Sequence, residues 1–574
     1  MKLSGYDDFD NSTNETVVIL CAKVRLDYIA PQYLLKYKSG NDAGFICQLF
    51  EEDGDNGLNA IEGDFAISYW HKLRQEVVCL TSTFTVFPLY YYYDQQLFAA
   101  ANEIDQLFDD RQVPRKPNLH YIANIGQRIH SQNKDAETLF ENVHYVPGGR
   151  VYRFTKDGLR KHKYWQPNIN KRYDYKTEQQ WADAIAGVFS EAVNCRIKGA
   201  GEQGILLSGG LDSSAMASVA EKTLAQQGKK LYAFSHVLPL DYQGKAWDER
   251  EYIELFRDKN IEINYLDRIS HANFDELRRV AQDVRTTASL NSFFTQQKLI
   301  DLVKEKNVTN LLVGTFSELG MSGYGFGYFT ELLLTGHWWS LIRETRAMAK
   351  LMKRNWLRLF VSDVLRPLIP EALFYVFSPR LREESQLAQI PFKDSLLAKQ
   401  VLLAKPKYGK MFAATNHRQY QVDSINRVME MNVGAILESD GLARSFPFLD
   451  RRVVEICLAA PGWMKVNNGY RRNIIRRSMR GIIPDKVCTR LTKGEATPCF
   501  PEQALAYASD FQQLIREIPR DSYAAQVLDL DKLAELCGDG CAHSTKLSPQ
   551  NFVMVVPPAI SLAYFLNTFS RNSG

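Results

Sequence analysis

The stretch Ser208-Gly209-Gly210-Leu211-Asp212-Ser213-Ser214 constrains this chain more than any other, because an apolar strand runs into it and an amphipathic helix runs out. Gly204-Ile205-Leu206-Leu207 has the character of a short buried strand, and Met216, Val219, Ala220 and Leu224 recur at helical spacing until Gly228 supplies a stop. Two glycines let the backbone approach a phosphate with no side chain in the way. Ser213 and Ser214 add hydroxyls beside the unpaired amides of a helix start. The stretch therefore reads as a pyrophosphate-binding loop rather than a capped glycine turn. Asp212, a carboxylate where phosphate is expected, makes sense if a divalent cation such as Mg²⁺ bridges it to the polyphosphate. No Gly-Lys-Ser/Thr follows the glycines, so this is not the ordinary Walker loop.

The surroundings of the loop predict its architecture. The first 165 or so residues read as short strands with turn signals, over 16–21, 65–70, 76–79, 89–93, 97–100 and 150–154, which makes a β-rich module. A polar hinge over 167–177 and a helix over 180–197 lead into the loop. Strands over 204–207, 231–236, 261–266 and 310–313 then alternate with helices over 215–226, 248–259 and 292–306. Such alternation predicts a parallel, doubly wound sheet with ligands at the carboxyl ends of its strands. Gly314-Thr315-Phe316-Ser317-Glu318 is thereby expected at the same sheet edge as the phosphate loop. Glu318 would face Asp212 across a shared Mg²⁺, although spacing alone fits a solvated glutamate equally well. Beyond residue 330 the chain turns helical, and Trp338, Trp339, Trp356, Leu341 and Leu357 form stripes expected to be mostly core.

Composition narrows the function classes. Seventy basic against 66 acidic residues, a net charge of +4, leave no electrostatic footprint for nucleic acid. Arg471-Arg472 and Arg476-Arg477 read as a solvated helix face or a phosphate contact. Nine cysteines are scattered, and Cys537 and Cys541, the one close pair, have no second cysteine pair to complete a zinc site. Reduced thiols and an acidic, polar N-terminus without a signal-peptide core predict a cytoplasmic protein. Two apolar stretches, 357–377 and 552–566, are interrupted by charges or prolines and predict core helices without stable membrane insertion. For the first, an amphipathic membrane-facing or partner-facing role stays open.

The phosphate loop resembles that of the ATP pyrophosphatases, and within that group the chain resembles the asparagine synthetase family over nearly its whole length. Glu62-Gly63-Asp64-Phe65-Ala66, Pro88-Leu89-Tyr90-Tyr91, Ala101-Asn102-Glu103 and Val146-Pro147-Gly148 follow the family's glutamine amidotransferase domain in register. The resemblance implies an α/β protein in two parts. Residues 1–170 form a degenerate class II amidotransferase-like domain of the αββα (Ntn) type, and 178–574 form an ATP-dependent amide ligase domain with a large helical part. The amidotransferase chemistry is missing: Met1 is followed by Lys2 rather than a cysteine, and the expected Arg-Asp falls on Thr81-Ser82. Cys21 and Cys47 lie in strand-like runs. This domain is not expected to hydrolyse glutamine.

A synthetase without its own ammonia source takes another amine, as β-lactam synthetases and lasso peptide cyclases do. Gly325-Phe326-Gly327-Tyr328, Glu331-Leu332, Gly336-His337-Trp338 and Arg343-Glu344 resemble the corresponding segment of the lasso cyclases. That resemblance implies a macrolactam synthetase acting on a leaderless precursor peptide, with a leader peptidase and a leader-binding protein as partners. A ligase for ammonia or a small amine, and an inactive scaffold, are the alternatives. The family's Gly-Gly-Asp-Glu motif is here Phe316-Ser317-Glu318-Leu319. Glu318 falls at the metal-binding acid, and Phe316 is expected to crowd the nucleotide. ATP and Mg²⁺ are the implied cofactors: Ser208, Gly209, Gly210, Ser213 and Ser214 for pyrophosphate, and Asp212 with Glu318 for the metal. Lys493, behind Arg490, would neutralise the α-phosphate. Leu206, Ser235, His236 and Gly314 would lie around adenine. For the general base, Tyr324, Tyr328 and Glu344 stand in the right segment, and helix packing explains each equally well.

Overall fold

A computed structural model describes the chain apart from residues 1, 4–15, 39, 95, 127–135, 200, 268–297, 370–388, 394–413, 435–441, 495–497, 539–546 and 570–574. Its N-terminal part holds nine strands: β1 (Lys2–Leu3), β2 (Val17–Ile29), β3 (Ile61–His71), β4 (Glu76–Thr81), β5 (Tyr90–Tyr93), β6 (Leu97–Ala101), β7 (Val143–Tyr145), β8 (Arg150–Thr155) and β9 (Gly158–Lys163). They make a five-stranded antiparallel sheet, β2-β3-β4-β8-β9, and a four-stranded sheet, β1-β6-β5-β7. Period-two alternation decides which residues face inward. Ala66, Val77, Cys79, Phe98 and Phe154 fill the space between the sheets. Phe65, Ile67, Tyr69 and Val78 turn the other way, onto Phe45, Ile46 and Leu49 of helix Asp42–Asp53. The far side of the small sheet is closed by Phe511, Phe552 and Phe565 from the C-terminal helices. The layers are αββα, with part of one α layer supplied by the far end of the chain.

The second part is built on β10 (Glu202–Leu206), β11 (Leu231–His236), β12 (Ile261–Leu266), β13 (Val308–Leu312) and β14 (Arg444–Ser445), all parallel in the order β12-β11-β10-β13-β14. Helices Glu178–Arg196 and Leu211–Gln226 pack on one face through Ile185, Phe189, Ala215 and Val219. Leu299 and Val303 cover Phe234, Leu266 and Leu311 on the other. Helix Glu178–Arg196 starts from a capping box in which Thr177 and Gln180 satisfy each other's backbone.

Two expectations change, and two hold over the residues described. The helix expected over 248–259 shrinks to Arg250–Ile253 plus a 3₁₀ turn, Glu254–Phe256, with Glu249 at its N-cap and the Glu249 side chain turned to Arg490. Of the helix over 292–306, residues 298–305 are helical and 292–297 lie outside the described residues. Trp338, Trp339 and Leu357 are not core: they are 64%, 79% and 63% exposed. Helix Trp338–Leu351 buries Leu341, Thr345 and Met348 instead, which turns both tryptophans outward. Finally, the helix Pro549–Asn567 runs through Pro557 and Pro558 and is long and apolar enough to cross a membrane. Most of it is buried in the C-terminal core, so packing offsets the two missing amide donors. Cys537 is buried in that same core, and Cys541 lies outside the described residues.

Candidate active site

The phosphate loop sits at the carboxyl end of β10, the central strand. Its helix begins at Leu211, earlier than periodicity indicates, so Asp212, Ser213 and Ser214 form the first turn. Gly209 has a φ of +66°, and a Cβ there would lie 2.8 Å from that of Tyr252. The Ser208 amide donates to Ser213 Oγ at 3.1 Å, and the Ser214 amide to the Gly210 carbonyl at 3.0 Å. Ser214 Oγ is buried with no partner among the described residues, and so is Ser235 Oγ on β11. Buried hydroxyls left unpaired are costly, and a ligand oxygen would satisfy them. His236 is held neutral, its value lowered to about 4 by burial and then by Lys298.

Lys493 lies over the loop. A side chain on Gly210 would meet its Cε at 3.0 Å and its Nζ at 3.2 Å. The brace behind it is Arg490, which pairs bidentately with Glu249 (2.6 and 2.8 Å), donates to the Gly209 carbonyl (2.9 Å) and rests 3.7 Å above the Tyr252 ring. Glu249 also accepts from the Gly494 amide. One buried carboxylate thus straps both sides of Lys493 to the loop. Lys493 itself has no carboxylate partner among the described residues.

Gly314 closes the other side, where an added Cβ would stand 3.5 Å from that of Asp212. Glu318 reaches solvent at the mouth. The protein around it, and then the Asp212 charge, raise its carboxyl above the usual range, while Arg472 opposes them. Asp212 is already engaged: it accepts from Arg472 Nη2 at 2.6 Å and from the Ser322 hydroxyl. Mg²⁺ is commonly held by one or two carboxylates plus substrate phosphates, and this donor set fits that pattern. Among the described residues no group of three or more acids, histidines or cysteines converges anywhere.

Two non-glycine residues face this centre in left-handed conformations, Phe316 (φ 69°) and Arg472 (φ 56°). Such strain, on the order of 1–2 kcal/mol each, gathers at functional loops. The Phe316 ring does not crowd the loop; it packs on Phe446, with centroids 6.1 Å apart. Arg472, left open between a solvated face and a phosphate contact, faces the site, and its Nε is buried without a partner among the described residues.

The segment holding the possible bases resolves differently for each. Tyr324 is exposed, stacks on Phe326 and lies under Arg472. Tyr328 stands edge-on to His417, its hydroxyl pushed up to about 12 by burial. Glu344 is buried and accepts from the Gly469 amide at 3.0 Å, a loop anchor.

Lys465 was missed, since an isolated lysine reads as surface. Its Nζ donates to Gln421 Oε1 at 2.5 Å, and Gln421 donates to the Leu319 carbonyl at 2.6 Å, directly behind Glu318. Burial lowers Lys465 to about 7. Unfolded, it titrates near 10.4, so between the two values the unfolded chain holds the extra proton and stability rises with pH. Chemical denaturation should show this rise between pH 7 and 9.5 in the wild type, on the order of 3 kcal/mol, and lose it in Lys465→Met. Parallel pH profiles for the two proteins would refute the assignment.

The amidotransferase-like part carries no comparable chemistry. Thr81 and Ser82 spend their hydroxyls on the carbonyls of Pro147 and Phe84, both at 2.7 Å. Burial pushes the thiols of Cys21 and Cys47 well above their ordinary value and that of Cys79 up to about 12, so none supplies a thiolate. A cleft of about 920 Å³ opens between this part and the ligase part, away from the phosphate loop. Its charged lining is paired internally, Arg451 with Glu62 and Lys171 with Glu455.

Comparison with known proteins agrees with this division. The asparagine synthase family model matches residues 184–567, and the glutamine amidotransferase domain model matches 23–165. Asparagine synthetase [glutamine-hydrolyzing] 3 of Bacillus subtilis is 22% identical over 526 residues, covering 87% of this chain and 78% of its own length. Asparagine synthetase [glutamine-hydrolyzing] 1 of the same organism is 22% identical over 545 residues, 89% of this chain and 80% of its own. A shorter match, 26% identical over 207 residues, joins 36% of this chain to 30% of the amidase chry2 of Gibberella zeae.

Proposed function

Because the chain belongs to the asparagine synthase family and is an ATP-dependent, amide-forming ligase, we propose that it joins a carboxylate to an amine that it does not make itself. The carboxylate oxygen attacks the α-phosphorus of ATP and pyrophosphate leaves. The amine then attacks the acyl carbon, loses a proton and expels AMP. Such chemistry is mainly positioning and charge neutralisation. Amides and hydroxyls of Ser208, Gly209, Gly210, Ser213 and Ser214 hold the phosphates. Lys493 faces the charge that develops as the adenylate forms, and Ser235, His236, Leu206 and Gly314 border the base. Mg²⁺ held by Asp212 and Glu318 would neutralise the leaving pyrophosphate. The observation that carries this reading is Lys493, a cation without a counter-ion among the described residues, strapped above Gly210 by Arg490 and Glu249.

A small carboxylate with ammonia or a small amine is the reading nearest the named relatives. Macrolactam closure of a leaderless peptide, with a leader peptidase and leader-binding protein upstream, is the second. The resemblance of 325–344 to lasso cyclases favours it, together with Thr81 and Ser82 where a glutamine-holding arginine is expected. The test incubates the protein with ATP and Mg²⁺ and separates the nucleotides by chromatography. One arm holds aspartate and ammonia, the other a peptide with N-terminal Gly and an internal Asp or Glu. AMP with the small substrates alone establishes the first reading. AMP with peptide alone, and a peptide lighter by one water, establishes the second. No AMP in any arm, with the precursor encoded beside this protein also tried, refutes both.

A further inference from the structure

The helical projection over 338–368 has two sides of opposite character. Leu341, Met348, Leu359 and Val364 point inward and close on Phe329 and Val466, which fixes it to the ligase part. The outward side begins with Trp338 and Trp339. After the turn at 352–355 it continues as Leu357, Val361, Leu365 and Leu368, spaced four, four and three apart and each at least 40% exposed. That spacing makes one apolar stripe along a helical face.

Charge on the same side is of one sign. Arg346, Lys350, Lys353, Arg354 and Arg358 are exposed and have no carboxylate partner among the described residues. The two acids of 334–369 are both used internally. Glu344 is buried on the Gly469 amide and Arg343, and Asp363 pairs with Arg471 at 2.6 Å. In a chain whose bases and acids nearly balance, 70 to 66, this imbalance is local.

We propose that this face docks the protein on an anionic lipid surface, with the stripe entering the headgroup boundary and the bases meeting lipid phosphates. Interfacial helices combine these features: apolar residues on one face, tryptophan at headgroup level and Lys/Arg beside them. A second copy of the chain would bring five like charges against five. Nucleic acid would meet the bases but leave the aliphatic stripe wet. A lipid surface answers both. Arg471, which holds Asp363, neighbours Arg472 on Asp212, so docking would bring the mouth of the candidate active site close to the bilayer.

The test is co-sedimentation of the full chain with vesicles of phosphatidylcholine alone and of phosphatidylcholine mixed with phosphatidylglycerol. Binding is expected only to the mixed vesicles, weakened by added salt and accompanied by a blue shift of tryptophan emission. Each base near the surface contributes about fivefold to partition. Lys353→Glu/Arg354→Glu/Arg358→Glu should therefore lower binding at least about 100-fold, and Trp338→Ala/Trp339→Ala should remove the blue shift. All five positions are exposed, and an unchanged thermal midpoint checks the fold. The glutamine triple variant serves where the glutamate one is destabilised. No binding to mixed vesicles, or binding that neither variant changes, overturns the proposal. So does retention by RNA or an acidic polypeptide without binding to vesicles.

Discussion

With alanine in place of Asp212, AMP release is expected to fall at least about a thousandfold while the chain melts within a few degrees of the wild type. The carboxylate stands in the first turn of its helix, beside Gly314 and within the field of Glu318. Removing one preorganised charged group at a phosphoryl centre commonly costs 10²- to 10³-fold, and losing one of two carboxylates that hold a cation adds to that. Stability is affected far less. Arg472 keeps its 2.8 Å bond to Ser322, so its guanidinium retains a polar partner. The measurement pairs nucleotide chromatography, with whichever substrates the wild type accepts, and a thermal melt. A variant that releases AMP at the wild-type rate would remove Asp212 from the chemistry. One that releases no AMP yet keeps its biological role would establish a scaffold.

What could be read from the residues follows the range of the interaction that places them. The strand, the glycine pair and the serines are decided within a dozen residues, so the phosphate loop and the parallel sheet were legible. Lys493 was reached across nearly 280 residues only because Arg490 and Lys493 resemble a family segment in register. The buried Glu249 that straps them was not: a glutamate after Asp248 looks like the start of a helix, and nothing local announces a partner at 490. Lys465 failed for the same reason, since its burial depends on Gln421 and the 319 carbonyl. Trp338 and Trp339 misled in the other direction. Apolar residues at helical spacing are usually core, and the face they occupy here was decided by Leu341, Thr345 and Met348 taking the inside. Phe316 shows the limit of a motif. Phe316 falls where the family motif has glycine, and it takes a left-handed backbone while its ring packs on Phe446.

The second large effect is expected far from the phosphates. Arg451 crosses from the ligase part to the start of β3, bonding Glu62 Oε1 through Nε at 2.8 Å and the Asn59 carbonyl through Nη2 at 2.7 Å, with both charged side chains 7% exposed. Arg196, beside it, bonds Asp450 at 2.9 Å. Burial raises the Glu62 carboxyl and Arg451 opposes the rise. In Arg451→Leu that carboxylate loses its partner, and breaking a buried pair from one side costs about 3–5 kcal/mol. Replacing both partners, Glu62→Leu/Arg451→Leu, should restore much of the loss, because neither charge is left behind. The sign with pH is defined. With Arg451 in place burial still lifts the folded Glu62 carboxyl to about 7, and without Arg451 it rises further, so the deficit of the single variant is largest above neutral pH, shrinks as pH falls toward 7 and changes little below it. Urea denaturation of the three proteins at neutral and mildly alkaline pH measures all of this. A single variant within 1 kcal/mol of the wild type, or a double variant no better than the single, would show that the pair does not brace the two parts. The expected result makes a domain without its hydrolytic residues a structural support, held by charges that only a folded partner surface can satisfy.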